Sequence, residues 1–325
     1  MLKLNQKEPK GGENMHSWEA IERVLNYMEE HMNEDLMTEQ LAEMAGLSPF
    51  YFQRLFKRLV GKSVQEYVKL RRLAHSVEWL NIPEKRIIDI ALECGYSSHA
   101  NYTRAFKEVF AITPEEYRKQ YPTLNTCKKP EISMYYSVVD EGVPLIAGDI
   151  ILEITKRRLV EPEYYLGYEG AVSISGQTPA GEVCGIDVPG ELWKQFHVAK
   201  SEMDTFFTNN IELGVSHSPN PETDSFLYFT GGSIENGSVP SGSNMTIFTL
   251  EPGEYIVCQI EADSWKNLVQ NALYQANNYL FGTWLPKHEL TALPFAAEKY
   301  FLDNKEESCM ELWIKVNTDE ILKIY

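Results

Sequence analysis

An internal repeat constrains this chain more than any other feature. The ten residues S-P-F-Y-F-Q-R-L-F-K from Ser48 are echoed by S-H-A-N-Y-T-R-A-F-K from Ser98, at an offset of 50. Ser, an aromatic at the fifth place, Arg, Phe and Lys all recur. Upstream, Leu41, Ala42 and Gly46 return as Ile90, Ala91 and Gly95 at an offset of 49, so the second turn is one residue longer. Each copy reads as a short helix, a Gly turn, a Ser N-cap and a second helix with an aromatic stripe. Self-similarity over a whole supersecondary unit predicts two helix-turn-helix motifs in an all-α half.

The flanking patterns agree. A helix is predicted from Ser17, with Trp18, Ile21, Val24, Leu25 and Met28 at helical spacing. Another short helix is expected over 36–42, and Pro49 opens the next at its first position. Thr113 and Pro114 start a further helix. Between the copies, Ser63 to Asn81 reads as one rod with Val64, Tyr67, Val68, Ala74, Val77 and Leu80 on a face. Its length of roughly 28 Å is close to the roughly 34 Å between successive major-groove faces of a duplex. One chain would then present two reading helices to one side of DNA.

The total charge argues against this, since the 325 residues carry a formal charge of −17. The distribution reverses the inference. Residues 16–122 hold 14 Lys and Arg against 16 Asp and Glu, whereas residues 123–325 hold 13 against 29. The acid belongs to the second half, while Arg54, Lys57, Arg58 and Lys62 cluster in the first. Five scattered cysteines, none in C-x-x-C spacing, fit reduced thiols rather than a disulfide or zinc framework. The first thirty residues carry no apolar signal segment, and no run suits a membrane span, so a cytoplasmic protein is expected.

These residues resemble the AraC/XylS family of bacterial transcription regulators. The second-motif signature is met by Gly95, Tyr96, Ser98, Tyr102, Arg104, Phe106, Lys107, Pro114, Tyr117 and Arg118. Ala111 departs from it, standing where the family usually has Gly, which puts the local turn in question. The resemblance covers about residues 18–120 and implies base-edge contacts from Phe50, Gln53 and Arg54 of the first motif. The second would supply His99, Asn101 and Arg104. Arg suits guanine, Gln and Asn suit adenine, and Phe50 suits a thymine methyl. Lys57, Arg58, Lys62 and Lys107 are expected on phosphates. The family also implies RNA polymerase as a partner and an activating role.

The second half repeats as well. The segment at Glu161 and Pro162 recurs at Glu251 and Pro252, an offset of 90, each between β-like runs. Each is followed by a helix carrying Trp, at Trp193 and Trp265, then by two more β runs. The expectation is an α+β domain of two β-α-β-β pseudo-repeats, with helices on one face and a groove along a pseudo-twofold axis. Its ordering resembles the GyrI-like effector-binding domain, most clearly where Glu298 precedes Tyr300 by two residues on a strand. The domain plan is then a mobile tail at 1–15, an AraC-type domain at 16–122, a linker at 123–148 with a strand over 132–139, and the effector-binding domain at 149–325.

On a strand Glu298 and Tyr300 share a face. A carboxylate in an aromatic groove favours a lipophilic cation, and Trp284, Trp193, Tyr165, Tyr168 and Tyr255 are the expected walls. This architecture implies a multidrug-type sensor. No nucleophile elbow, phosphate loop, dinucleotide fingerprint or metal-binding helix motif occurs, so no enzyme, cofactor or metal is expected. The competing reading is a GyrI-like hydrolase or sequestering protein for reactive small molecules, with Glu298 as general base.

Overall fold

The structure is a computed structural model and describes residues 16–177, 183–203, 206–235, 239, 243–302 and 308–317. The tail expected at 1–15 lies outside the described residues.

Seven helices build the first half: α1 (Ser17–Glu30), α2 (Thr38–Met44), α3 (Pro49–Val60), α4 (Val64–Leu80), α5 (Ile87–Glu93), α6 (His99–Phe110) and α7 (Pro114–Gln120). The N-cap of α1 is His16 rather than Ser17, because Glu19 reaches back to the His16 amide at 2.9 Å. Ser48, Ser63 and Ser98 cap α3, α4 and α6 through their hydroxyl oxygens. Two separate cores result. Ile21, Leu25, Leu41, Phe52 and Phe56 fill the first, and Ile90, Tyr102, Phe106, Phe110 and Tyr117 the second. The rod α4 gives Tyr67 to one and Leu73 and Leu80 to the other. Each core buries its own aromatic stripe, so neither motif depends on the other for its apolar packing.

Left-handed residues close the helix pairs. Gly61 ends α3 at φ 77°, and Ala111 ends α6 in the same conformation at φ 63°. The turn that Ala111 put in question is therefore kept, at a cost of about 1 kcal/mol for its Cβ. At Gly95 the constraint is double: φ is 75°, and a Cβ would sit 2.9 Å from the Arg72 guanidinium.

The segment expected as a linker is bolted to both halves. Strand β1 (Leu124–Asn125) pairs with β5 (Gly185–Ile186) outside the main sheet. Residues 132–136 form helix α8 (Ile132–Tyr136), not the expected strand. The reason is visible in its contacts. In a strand, Ile132 and Met134 would face the same side; the helix turns them apart, so Ile132 enters the first helical core while Met134 enters the core under the second domain. Arg71 locks the same junction, donating to both Glu29 oxygens (2.9 and 2.6 Å) and to the Cys127 carbonyl.

The second domain is one nine-stranded antiparallel sheet. Its strands are β2 (Leu145–Ala147), β3 (Ile150–Leu159), β4 (Glu163–Ser173), β6 (Ile211–Asn220), β7 (Ser225–Ile234), β8 (Thr246–Leu250), β9 (Gly253–Ala262), β10 (Ala292–Phe301) and β11 (Ser308–Val316). It begins at β2, ahead of the expected opening at Ile150. The order is β2-β3-β9-β11-β10-β6-β7-β4-β8. If β3, β4, β6 and β7 correspond to β8, β9, β10 and β11, the eight strands read the same from either edge. The pseudo-twofold thus falls between β10 and β6, and the repeats have exchanged their first strands. After the short α9 (Ile174–Gln177), helix α10 (Val188–Glu202) serves the first repeat. The second uses α11 (Trp265–Asn267), α12 (Leu273–Tyr279) and α13 (Leu285–Lys287), joined through two wider π-type turns.

Candidate functional site

Two surfaces carry chemistry. On the first, α3 and α6 turn Phe52, Phe56, Tyr102 and Phe106 inward, which leaves their polar edges in water. Gln53, Arg54, Lys57 and Arg58 are exposed on α3, and Asn101, Arg104 and Lys107 on α6. Phe50 is 77% exposed, an unusual position for a phenyl ring unless something covers it in use. Among the described residues, none of Arg54, Lys57, Arg58, Arg104 or Lys107 enters an ion pair. Four other cations of this half are committed internally: Arg71 to Glu29, Lys69 to Glu108, Lys85 to Glu93, and Arg86 to Asp89. Arg72 and Arg118 hold backbone carbonyls. Sequence clustering alone did not separate these two sets.

On α6 the polar residues form a chain. Arg104 donates to Asn101 Oδ1 at 3.3 Å, and Asn101 donates to Ser97 Oγ at 3.0 Å. His99 pairs with Glu115 of α7 at 2.9 Å, so its ring is oriented by that helix rather than free at the surface. Lys62 departs from its expected place beside the phosphate contacts. It follows the reversal at Gly61 and lines a cleft with Cys127 and Lys128 beneath the second domain.

The second surface centres on Glu298. Strand register sets Tyr168, Thr230, Gly214 and Glu298 opposite one another on β4, β7, β6 and β10, so all four face the helices. Glu298 Oε2 accepts from the Tyr300 hydroxyl at 2.9 Å and from the Tyr228 hydroxyl at 3.2 Å. Trp193 of α10 donates its indole N–H to the Tyr228 oxygen at 3.1 Å. Trp193 also meets the Tyr300 ring edge-on at 5.4 Å, and Trp265 approaches the same ring from α11 at 5.8 Å. Helices of both repeats therefore lean on one strand residue. Gly214 is required here, since a Cβ would run into the Tyr228 hydroxyl, Glu298 and Trp193.

Electrostatics follow from that packing. Burial pushes the Glu298 carboxyl above its ordinary range, although the phenols of Tyr300 and Tyr228 oppose this by donating to it. Burial and the neighbouring carboxylate hold both phenols protonated, well above 10. The result is a half-buried carboxylate under aromatic rings, with no cation bonded to it among the described residues.

Of the expected walls, Trp193 and Tyr168 are on the correct face. Tyr165 and Tyr255 are not, and strand parity explains why. Tyr165 lies three residues before Tyr168, and Tyr255 three before Cys258, which aligns with Glu298 through Leu312. Both point through the sheet into an opposite core with Trp313 and Phe229. Trp284 is structural: its indole N–H donates to the Val139 carbonyl at 3.0 Å and its ring stacks on His288 at 3.9 Å. Tyr228, Trp265 and Gly214 are the members the sequence expectation left out. Tyr228 lies in a continuous apolar run at 226–229, which does not show which face it takes without its partner strands.

Paired exposed helices on one half and a carboxylate under aromatic rings on the other match the plan of a DNA-binding regulator with an effector domain. Comparison with known proteins bears this out. Residues 41–120 match the helix-turn-helix domain family, and residues 177–316 match the integron-associated effector binding protein family. The Tn10 TetD protein of Escherichia coli is 36% identical over 100 residues, covering 31% of this chain and 72% of that protein. Regulatory protein SoxS of Salmonella typhimurium is 32% identical over 104 residues, covering 32% of this chain and 97% of SoxS. The uncharacterized regulator YbfP of Bacillus subtilis is 36% identical over 120 residues, covering 37% of this chain and 40% of YbfP. The chain belongs to the AraC family of helix-turn-helix regulators, and its second half is similar to the integron-associated effector binding proteins. It spans less than half of YbfP, and all three similarities cover about a third of its own length.

Proposed function

We propose that this protein is a sequence-specific transcription regulator that reads two successive major-groove segments with one chain, under control of a small lipophilic cation bound at Glu298. Arg54 and Arg104 would carry base discrimination, each at the same place in its helix, with Gln53, Asn101, His99 and Phe50 beside them. Lys57, Arg58 and Lys107 would bind phosphates. The observation that carries the reading is the partition of cations: Arg54, Lys57, Arg104 and Lys107, at repeat-equivalent positions, are exposed and paired with no acid among the described residues, while Lys69, Arg71, Arg72, Lys85, Arg86 and Arg118 are spent on structure. The effector reading rests on a carboxylate bonded, among the described residues, by phenols alone, with Trp193 and Trp265 packed against the Tyr300 ring. A cation entering there would exchange water for ring faces and a buried negative charge. Transcription activation, contact with RNA polymerase and a cytoplasmic setting complete the proposal; among the described residues no helix is long and apolar enough to cross a membrane.

The test is selection of bound duplexes from a random pool, with and without a lipophilic quaternary cation such as tetraphenylphosphonium. Enrichment of a two-part site with its halves about one helical turn apart, and a cation-dependent change in occupancy or transcription, is the expected result. Failure to enrich any sequence would refute the reading of α3 and α6. A cation that binds yet leaves transcription unchanged would refute the control.

A further inference from the structure

A second cleft lies far from Glu298 in the chain and has different chemistry. It opens between the first helix pair and the second domain, with a volume of about 200 Å³. Its walls include Tyr67, Pro130 and Tyr274, and it is edged by Arg58, Lys62 and Lys128. Among the described residues no acidic side chain lines it. These side chains come from three parts of the molecule: the end of the first motif, the connecting segment, and helix α12 of the second domain.

The local charge is unbalanced. Arg71, close by, is satisfied by Glu29 and the Cys127 carbonyl, and the Tyr67 hydroxyl donates to Glu29 at 2.7 Å. That leaves Glu29 fully engaged. Among the described residues, the head groups of Lys62 and Lys128 have neither a hydrogen bond nor an ion pair. Lys128 is moreover drawn away from solvent: burial, with Arg71 adding to it, pushes its amine down to about 8 against the opposing pull of Asp187 and Glu78, neither of which bonds it. Ammonium groups without bonded acceptors, bordering a space that protein atoms do not fill, are an arrangement that an anion completes.

We infer that this cleft binds a small organic anion, a phosphate or carboxylate carried on a compact aromatic or apolar body, held by Lys62 and Lys128 with Arg58 at the edge. The charged group meets the two ammoniums, and the body lies against Tyr67, Pro130 and Tyr274. The size limits the ligand, because drug-sized molecules occupy roughly 300–1,000 Å³, and no duplex enters such a space. Bound there, the anion would bridge the first reading motif, the connector and the effector domain, and so stabilise their docked arrangement by mass action. This site is independent of the cation proposed at Glu298, and its ligand has the opposite charge.

The experiment is calorimetric titration and thermal melting of the full chain without DNA, at constant ionic strength, with phenyl phosphate, benzoate and inorganic phosphate. Saturable binding of one phenyl phosphate per chain, with a raised melting temperature, is expected. Binding should weaken at least tenfold in Lys128→Gln and in Lys62→Gln, and stay unchanged in Glu298→Gln. Absence of saturable binding by phenyl phosphate and benzoate, or an affinity that neither lysine variant moves, would overturn the inference. Should Lys128→Gln not fold, the less buried Lys62→Gln decides alone. Inorganic phosphate binding as tightly as phenyl phosphate would overturn the role given to the tyrosine and proline walls.

Discussion

The two halves of this protein are both built by duplication, and they use it in opposite ways. The helical copies keep separate cores, joined along α4. Each therefore reproduces its surface, and Arg54 and Arg104 occupy equivalent, exposed positions. The sheet copies exchange strands instead: β3 pairs with β9, and β8 with β4. A single sheet results, with the pseudo-axis between β6 and β10. There unlike residues face each other, Gly214 against Glu298, and the space left by the glycine admits Tyr228 and Trp193. Duplication with separate cores gives the same site twice, whereas duplication with shared strands gives one site of mixed parentage.

The contrast can be broken at several points. The largest effect is expected at the junction. Glu29→Ala strands Arg71 as an unpaired buried cation, and about 3–5 kcal/mol of stability should be lost, read by urea unfolding. Burial alone would raise the Glu29 carboxyl, but the bonds from Arg71, His75 and Tyr67 hold it far below its usual 4.5. Its contribution is thus complete above that pH and drains away as acid is added. A loss under about 1 kcal/mol, the level of a surface pair, would mean that the halves do not depend on this lock.

Next come the reading helices. Arg54→Ala and Arg104→Ala should each relax base preference in one segment of the site by about 1–3 kcal/mol, or roughly 5- to 150-fold. Lys57→Ala should instead weaken all sequences alike and reduce the salt dependence. Competition binding with single-base variants of the selected site distinguishes these outcomes. If Lys57→Ala altered base preference, the division between positioning and reading residues would be wrong.

In the shared site, Glu298→Gln tests the carboxylate. Its folded pKa is raised, so the native state binds the proton more tightly than the unfolded chain. Stability then falls as pH rises through the window between the ordinary carboxyl value and the folded one. The Gln variant should lack that fall, gaining stability at pH 7 but not at pH 4, and should lose affinity for tetraphenylphosphonium. In the parent protein, that affinity should rise with pH over the same window. Melting curves across pH check the first part and titration the second.

The smallest effect is at Ala111. Replacement by Gly removes the Cβ penalty of the left-handed cap and should stabilise the second motif by about 1 kcal/mol, visible as a higher melting temperature. A destabilised variant would show that the unfolded-state entropy of Gly outweighs the strain.

The sequence made the helical half legible because its signals are local. Caps, Gly turns and a 3.6-residue stripe all fall within each motif, and the copies agree. It also placed Glu298, Tyr300, Trp193 and Tyr168 on the site face. What it missed depends on parity and pairing. Tyr165 and Tyr255 sit one position out of phase with the site row, and a strand run does not reveal its inner face without its partners. Trp284 has the right residue type and a structural duty, holding the connector at Val139. The connector itself was misread because a strand satisfies one core, whereas Ile132 and Met134 had to reach two. Lys62 shows the same limit, since its position beyond Gly61 is set by a chain reversal.

The central claim is that two equivalent helices of one chain read two different segments of one site. Methylation interference on the selected duplex, with parent, Arg54→Ala and Arg104→Ala proteins, tests it directly. We predict guanine contacts in two major-groove segments about one turn apart, with each variant losing contacts in one segment and keeping the other. Loss of the same segment in both variants, or two unchanged segments, would contradict it.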